Sequence, residues 1–238
     1  MNNYEFCAQW AADQNPSRVL DYGCGAGEIV RKMRDRGLEA FGCDVFYGGN
    51  IERQSGLVSE DVSPFVRRMD NGPIPFDDAS FDAIVANQVF EHVPDLDLSL
   101  REIARVLKPG GAFLALFPDR TVWREGHCGI PFLHWFPKGT KARVYYAATL
   151  RALGAGYNKT DFPGVMNWAK SFCHWLDQWT YYRPPDEIRA AFARHFRRTE
   201  NIEHEWFVAR VPLTEIAPRV LRRYAAQRLA GLVLKSVR

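Results

Sequence analysis

Asp21, Gly23, Gly25 and Gly27 alternate along Val19-Leu20-Asp21-Tyr22-Gly23-Cys24-Gly25-Ala26-Gly27-Glu28. The apolar run before them reads as a buried strand that empties into a glycine-rich turn and then a helix. Each missing Cβ lets the backbone come close to a nucleotide. A dinucleotide-binding turn is spaced Gly-x-Gly-x-x-Gly/Ala, its third small residue packing helix on strand. Here the third glycine comes one residue early and Glu28 stands in that place, which weakens an NAD-dependent reading. Asp21, two residues before the first glycine, offers a carboxylate to a ligand ammonium group, and Cys24 fits the turn as a small side chain.

Further residues follow in a fixed order. Phe41-Gly42-Cys43-Asp44-Val45 reads as a second strand ending in an acid, at the distance where a carboxylate can accept from both ribose hydroxyls. Met69-Asp70 closes a third strand ahead of Pro73-Ile74-Pro75-Phe76-Asp77-Asp78-Ala79-Ser80-Phe81-Asp82. Ala83-Ile84-Val85-Ala86-Asn87 is a fourth strand, followed by Gln88-Val89-Phe90-Glu91-His92-Val93. Arg105-Val106-Leu107-Lys108-Pro109-Gly110-Gly111 ends a helix and leads into a fifth strand from Ala112 to Phe117. Over residues 18–117 this order resembles the Rossmann-like, class I S-adenosylmethionine-dependent methyltransferases, most closely the type-11 domain family. The resemblance implies S-adenosylmethionine as cofactor. It assigns cofactor contacts to Asp21, Gly23, Cys24, Gly25, Gly27, Asp44, Val45, Met69, Asp70, Asn87 and Gln88, with Asp70 at the adenine amino group. It also implies a three-layer α/β sandwich around a mostly parallel seven-stranded sheet, with an antiparallel last strand and an insertion after strand five.

Methyl transfer needs a nucleophile within roughly 3 Å of the sulfonium methyl. A hydroxyl nucleophile needs a histidine or carboxylate to take its proton. Asn87-Gln88-Val89-Phe90 departs from the Asn/Asp-Pro-Pro-Tyr/Phe loop associated with nucleobase amines, so nucleic-acid acceptors are disfavoured. The insertion opens Trp123-Arg124-Glu125-Gly126-His127-Cys128-Gly129-Ile130-Pro131-Phe132-Leu133-His134-Trp135. It is similar to the corresponding segment of methyltransferases of polysaccharide and glycolipid synthesis. Aromatic faces suit the C–H faces of a pyranose, while His and Glu satisfy its hydroxyls. Trp123, Glu125, Phe132, His134 and Trp135 are therefore expected at a saccharide or glycolipid acceptor, although the tryptophans equally suit a core. His127, flanked by glycines, is the first candidate base, with His92 and Glu91 behind it. His92 also suits a satisfied, partly buried histidine, and Glu91 a loop anchor. Glu91, His92 and His127 could converge on one ion, but no carboxylate-rich cluster backs this, so activity without metal is expected. Methylation of a quinone, phenol or carboxylate, and a non-catalytic cofactor-binding role, stay open.

The 238 residues suit a single domain: a cofactor core over 1–117, an acceptor-binding insertion over 118–183 and a sheet-completing part over 184–238. A net charge of +3 does not call for a nucleic-acid partner. Five scattered cysteines without a Cys-x-x-Cys pair suit reduced thiols and argue against zinc held by sulfur. Neither a signal peptide nor a membrane span is apparent, so a cytoplasmic location is expected. Asn3 to Asp13 should be an amphipathic helix, Asp95 should cap the helix that carries Leu96, Leu100, Ile103 and Leu107, and Pro184-Pro185-Asp186 should cap another that runs to about His195. Arg198 to Trp206 reads as a sixth strand and Leu232 to Val237 as the antiparallel seventh. Thr214 to Leu229 reads as a basic helix. It suits a solvated face docked on the sheet better than peripheral contact with a membrane.

Overall fold

The computed structural model describes residues 1–46, 58–69, 73–160, 162–211, 216 and 218–238. Seven strands form one sheet: β1 (Arg18–Tyr22), β2 (Glu39–Asp44), β3 (Val66–Arg68), β4 (Phe81–Asn87), β5 (Leu107–Phe117), β6 (Arg198–Asn201) and β7 (Leu232–Val237). Their order across the sheet is β3-β2-β1-β4-β5-β7-β6. The first five pair in parallel, and β7 runs antiparallel to both β5 and β6.

Period-two alternation divides the strand residues between two apolar layers. Leu20, Tyr22, Ile84, Phe113 and Leu234 face α3 (Leu96–Val106) and α6 (Pro185–His195), where Phe113 and Phe192 stack at 5.9 Å. Val19, Val85, Leu114, Leu116 and Val233 face the other way, toward α1 (Asn3–Asp13), α2 (Glu28–Asp35), α7 (Glu203–Arg210) and α8 (Arg219–Ala230). Asn2 caps α1 by accepting from the Glu5 amide, and Asp95 caps α3 through Leu98. Each such cap contributes about 1 kcal/mol. The strand expected over residues 198–206 stops at Asn201. The Ile202 amide makes one last bond to the Val233 carbonyl, and Glu203 then opens α7, where acids favour the positive end of a helix.

Between β5 and α6 the chain leaves the sheet and builds a cap. Helices α4 (Lys141–Ala152) and α5 (Val165–Trp179) pack around Trp168, Leu133, Ile130 and Leu176 in a third apolar cluster. Thr140 caps α4, and the buried Arg143 on α4 pairs with Asp177 on α5. The cap returns through an extended strap, Thr180 to Pro184. Along it the Tyr181 amide donates to the Glu91 carbonyl (2.6 Å), and Arg183 donates to the carbonyls of Phe90 (3.2 Å), Val93 (2.8 Å) and Pro94 (2.7 Å). No helix of the described residues is long and apolar enough to cross a membrane.

Candidate active site

Strand order reverses between β1 and β4, which is where an open α/β sheet leaves a crevice at its strand C-termini. A cleft of about 650 Å³ lies there, within the range of small-molecule sites. One end is bounded by Gly23, Gly25, Ala26, Asp44, Val45 and Met69; the other by His92, Pro94, Trp179 and Tyr181. Gly23 has φ +75°, and a Cβ there would stand 2.4 Å from Val89 Cγ2, so this turn tolerates only glycine.

The Asp44 carboxylate is held by two backbone donors, Gly25 at 2.8 Å and Phe46 at 2.6 Å. Those bonds fix its orientation beside the glycine turn and leave lone pairs for further donors. Asp21 differs. It is fully buried on the α1 side of β1 with neither oxygen bonded among the described residues, and burial, then the neighbouring Asp44 charge, pushes its carboxyl well above the usual range. It is not among the residues that border the cleft. Asp70 lies outside the described residues.

At the other end, the short helical turn Phe90–His92 meets the cap. His92 Nδ1 lies 2.7 Å from the Trp179 carbonyl. A carbonyl only accepts, so Nδ1 carries the proton and the Nε2 lone pair points away. His92 Nε2 lies 3.1 Å from His127 Nε2, and His127 Nδ1 lies 2.6 Å from Glu125 Oε1. Glu125 is itself buried and also accepts from Tyr182 Oη (2.7 Å) and the Cys128 amide (2.7 Å). Burial lowers His92 to about 4 against the help of the Trp179 carbonyl, so this ring is neutral. Burial would also lower His127, but the Glu125 bond and charge outweigh it and raise the ring instead. For Glu125, burial is outweighed by His127, Tyr182 and the Cys128 amide, which bring it down to about 2. Glu91 is fully buried and its oxygens have no hydrogen-bond partner among the described residues; burial pushes it up to about 8 against its own backbone and the His127 charge.

Of the residues expected at the cofactor, Gly23, Gly25, Asp44, Val45, Met69 and Gln88 border the cleft, whereas Asp21, Cys24, Gly27 and Asn87 do not. Asn87 instead accepts from the Asn3 side chain at 3.3 Å. Of the three candidate catalytic residues, His92 alone borders the cleft; His127 stands behind it and Glu91 beneath. The expected acceptor residues scatter. Glu125 is buried under His127, His134 borders a separate hollow of about 150 Å³, and Trp123, Phe132 and Trp135 are on the outer surface. Sequence reasoning missed Ser99 and Glu102 on α3, and Trp179 and Tyr181 at the cap's return. The 99/102 spacing places the first pair on one helix face, a signal available in the sequence.

A methyltransferase domain family matches residues 20–115. The ubiquinone biosynthesis O-methyltransferase of Chelativorans sp. (strain BNC1) is 33% identical over 127 residues, covering 52% of this chain and 50% of the relative. That of Brucella ovis is 27% identical over 192 residues, 76% of each. The chain spans about half the length of the first of these curated relatives. Among solved structures, an S-adenosylmethionine-dependent methyltransferase from Mesorhizobium loti superposes with TM-score 0.55 at 16% identity, over 99% of this chain and 100% of that one. A geranyl diphosphate methyltransferase in complex with S-adenosylmethionine gives 0.51 at 12% identity, over 98% of this chain and 84% of that one. The structural likenesses establish the fold, and the family match covers the strand ends that shape the cleft. The chain has the Rossmann-like fold of these structures, and its residues 20–115 match a methyltransferase domain family.

Proposed function

We propose that the chain is an O-methyltransferase acting on a small, ring-sized hydroxyl acceptor of the phenol or quinol type. The observation that carries this reading is the cleft itself. The glycine turn and Asp44 close one end, and Pro94, Trp179, Tyr181 and His92 form a compact, mostly apolar end with one imidazole. Apolar walls with a few placed polar groups suit a flat ring. The relatives named as ubiquinone biosynthesis O-methyltransferases support the same acceptor class.

In this reading Asp44 and the glycine turn hold the cofactor, and the acceptor lies between the Trp179–Tyr181 strap and Val93-Pro94. The acceptor oxygen attacks the sulfonium methyl in line, a C–O bond forms as the C–S bond breaks, and S-adenosylhomocysteine leaves. Much of the rate comes from this alignment. A phenol with pKa near 10 gives up its proton far more easily than a sugar hydroxyl. The group at Glu91, His92 and His127 stands where that proton departs.

A saccharide or glycolipid acceptor is the second reading, favoured by the exposed Phe132–Trp135 pair, whose rings lie 4.7 Å apart. Against it, Trp123, Phe132 and Trp135 do not border the cleft. Methyl-labelled S-adenosylmethionine should be offered with catechols, quinols, carboxylates and oligosaccharides. Labelled phenol or quinol ethers are expected; label on saccharides alone would overturn the proposal, and no transfer with intact cofactor binding would favour a non-catalytic role.

A further inference from the structure

Glu91, His92 and His127 each offer one ligand atom, and these atoms lie within 4.8 Å of one another. We propose that the three form a binding site for one divalent first-row transition-metal ion of the Zn²⁺ or Mn²⁺ kind.

The arrangement around each imidazole is the first argument. A metal-ligating histidine almost always donates its other ring N–H to a carbonyl or carboxylate, which fixes the tautomer and turns the remaining lone pair to the ion. His92 has its Nδ1 on the Trp179 carbonyl, and His127 has its Nδ1 on Glu125. Glu125 is held in turn by Tyr182 and the Cys128 amide, so the support reaches one shell further. Both Nε2 atoms are thereby brought face to face at 3.1 Å.

Glu91 supplies the second argument. Its carboxylate is fully buried without a hydrogen-bond partner among the described residues, and His92 Nε2 stands 4.0 Å away. A carboxyl group in that position calls for a proton or a cation. Ligands at ~2.1 Å from an ion stand about 3–3.5 Å apart. The imidazole pair already meets that spacing, and Glu91 Oε1, 4.0 Å from His92 Nε2, stands about 0.5 Å outside it. Two nitrogens and one oxygen favour zinc, manganese or iron over magnesium or calcium, which prefer all-oxygen sites. His127 keeps 27% of its side chain exposed, so the site has access to solvent.

The consequence for the reaction rests on the methyl-transfer reading above; the binding site does not. Held by Glu91, His92 and His127, such an ion would ease loss of an acceptor hydroxyl's proton to solvent near neutral pH. Such an ion would run against the metal-independent activity expected from the sequence.

The test is a titration of chelator-stripped, dialysed protein with ZnCl₂, MnCl₂ and CoCl₂, following heat and the visible ligand-field bands of Co²⁺. One equivalent per chain is expected, with Co²⁺ bands that show nitrogen ligation. His127→Gln and Glu91→Gln should each weaken binding at least about 10-fold, and Glu125→Gln by about 10–100-fold. S-adenosylhomocysteine binding measured on the same samples identifies the folded variants. Wild-type protein that binds S-adenosylhomocysteine but no ion overturns the site, as does binding unchanged by His127→Gln; in both cases the two rings share a proton instead. Methyl transfer at full rate by the stripped protein removes the ion's part in the reaction and leaves the proposed function standing. Stoichiometric metal on a protein that methylates no acceptor upholds the site and removes the proposed function.

Discussion

Two aspartates near the cofactor end have opposite environments, and the difference decides how each can be tested. Asp44 accepts from Gly25 and Phe46, so it orders the loop as well as offering lone pairs to a ribose. Asp44→Ala should weaken S-adenosylhomocysteine binding by about 1.5–3 kcal/mol, read by calorimetry, with Asp44→Asn intermediate. An unchanged affinity would remove Asp44 from the site. Asp21 has a folded-state pKa raised by burial and by Asp44, so the folded protein keeps a proton that the unfolded chain releases near pH 4. Its contribution to stability is therefore fullest below that pH and is lost as pH rises through the folded value. Each unit of separation is worth ~1.4 kcal/mol, or about 3–6 °C in a chain of this size. Melting curves of Asp21→Asn should match the wild type near pH 4 and rise above it at higher pH; a constant offset would contradict this. The sequence located Asp44 because a strand-end acid at that spacing has few other uses. It could not orient Asp21, because the face on which a strand residue emerges depends on how the sheet is covered.

At the level of elements, the β1 turn is the most constrained piece of backbone bordering the cleft. Gly23→Ala forces a Cβ onto Val89 in a left-handed conformation, which should cost about 1–3 kcal/mol of stability. Because Val89 is the obstacle, Val89→Ala in the same chain should recover part of that loss in denaturant titrations. If the double variant is as unstable as the sum of both, the contact is not the cause. Glycine turns, the Asp95 cap and the apolar strands were legible because local rules set them. The end of β6 was not: Arg198 to Trp206 mixes charged and apolar residues in a pattern that serves strand or helix, and pairing with β7 decides where one becomes the other. The cap's tryptophans show the same limit. Trp168 is core, Trp179 borders the cleft, and Trp123 and Trp135 are exposed, a division made by packing alone.

Across the whole molecule, the site is assembled by the docking of cap on sheet. Arg183 is the main clamp, its guanidinium spread over the Phe90, Val93 and Pro94 carbonyls of the loop that carries Glu91 and His92. Arg183→Ala should lower stability by roughly 2–3 kcal/mol, since bonds from one charged group are not additive. Hydrogen exchange should quicken in the amides of residues 89–93, and Arg183→Lys should restore part of the protection. Unchanged exchange would mean that the Tyr181 amide and the His92–Trp179 bond hold the cap by themselves. The order of cofactor motifs over the first half of the chain was readable because each sits at a strand end. The acceptor end was not, because its walls come from residues some ninety apart in sequence that meet only after folding.

The position of Trp179 gives the molecule an optical handle. Its carbonyl anchors His92 while the residue borders the cleft, and Trp175 lies beside both histidine rings, at 6.0 Å from His92 and 5.0 Å from His127. Light absorbed by these indoles is emitted from within reach of any ring-shaped guest. Fluorescence intensity and wavelength should therefore shift when an acceptor enters, and a Trp179→Phe chain should lose much of that change, so acceptors can be screened by emission without turning over cofactor.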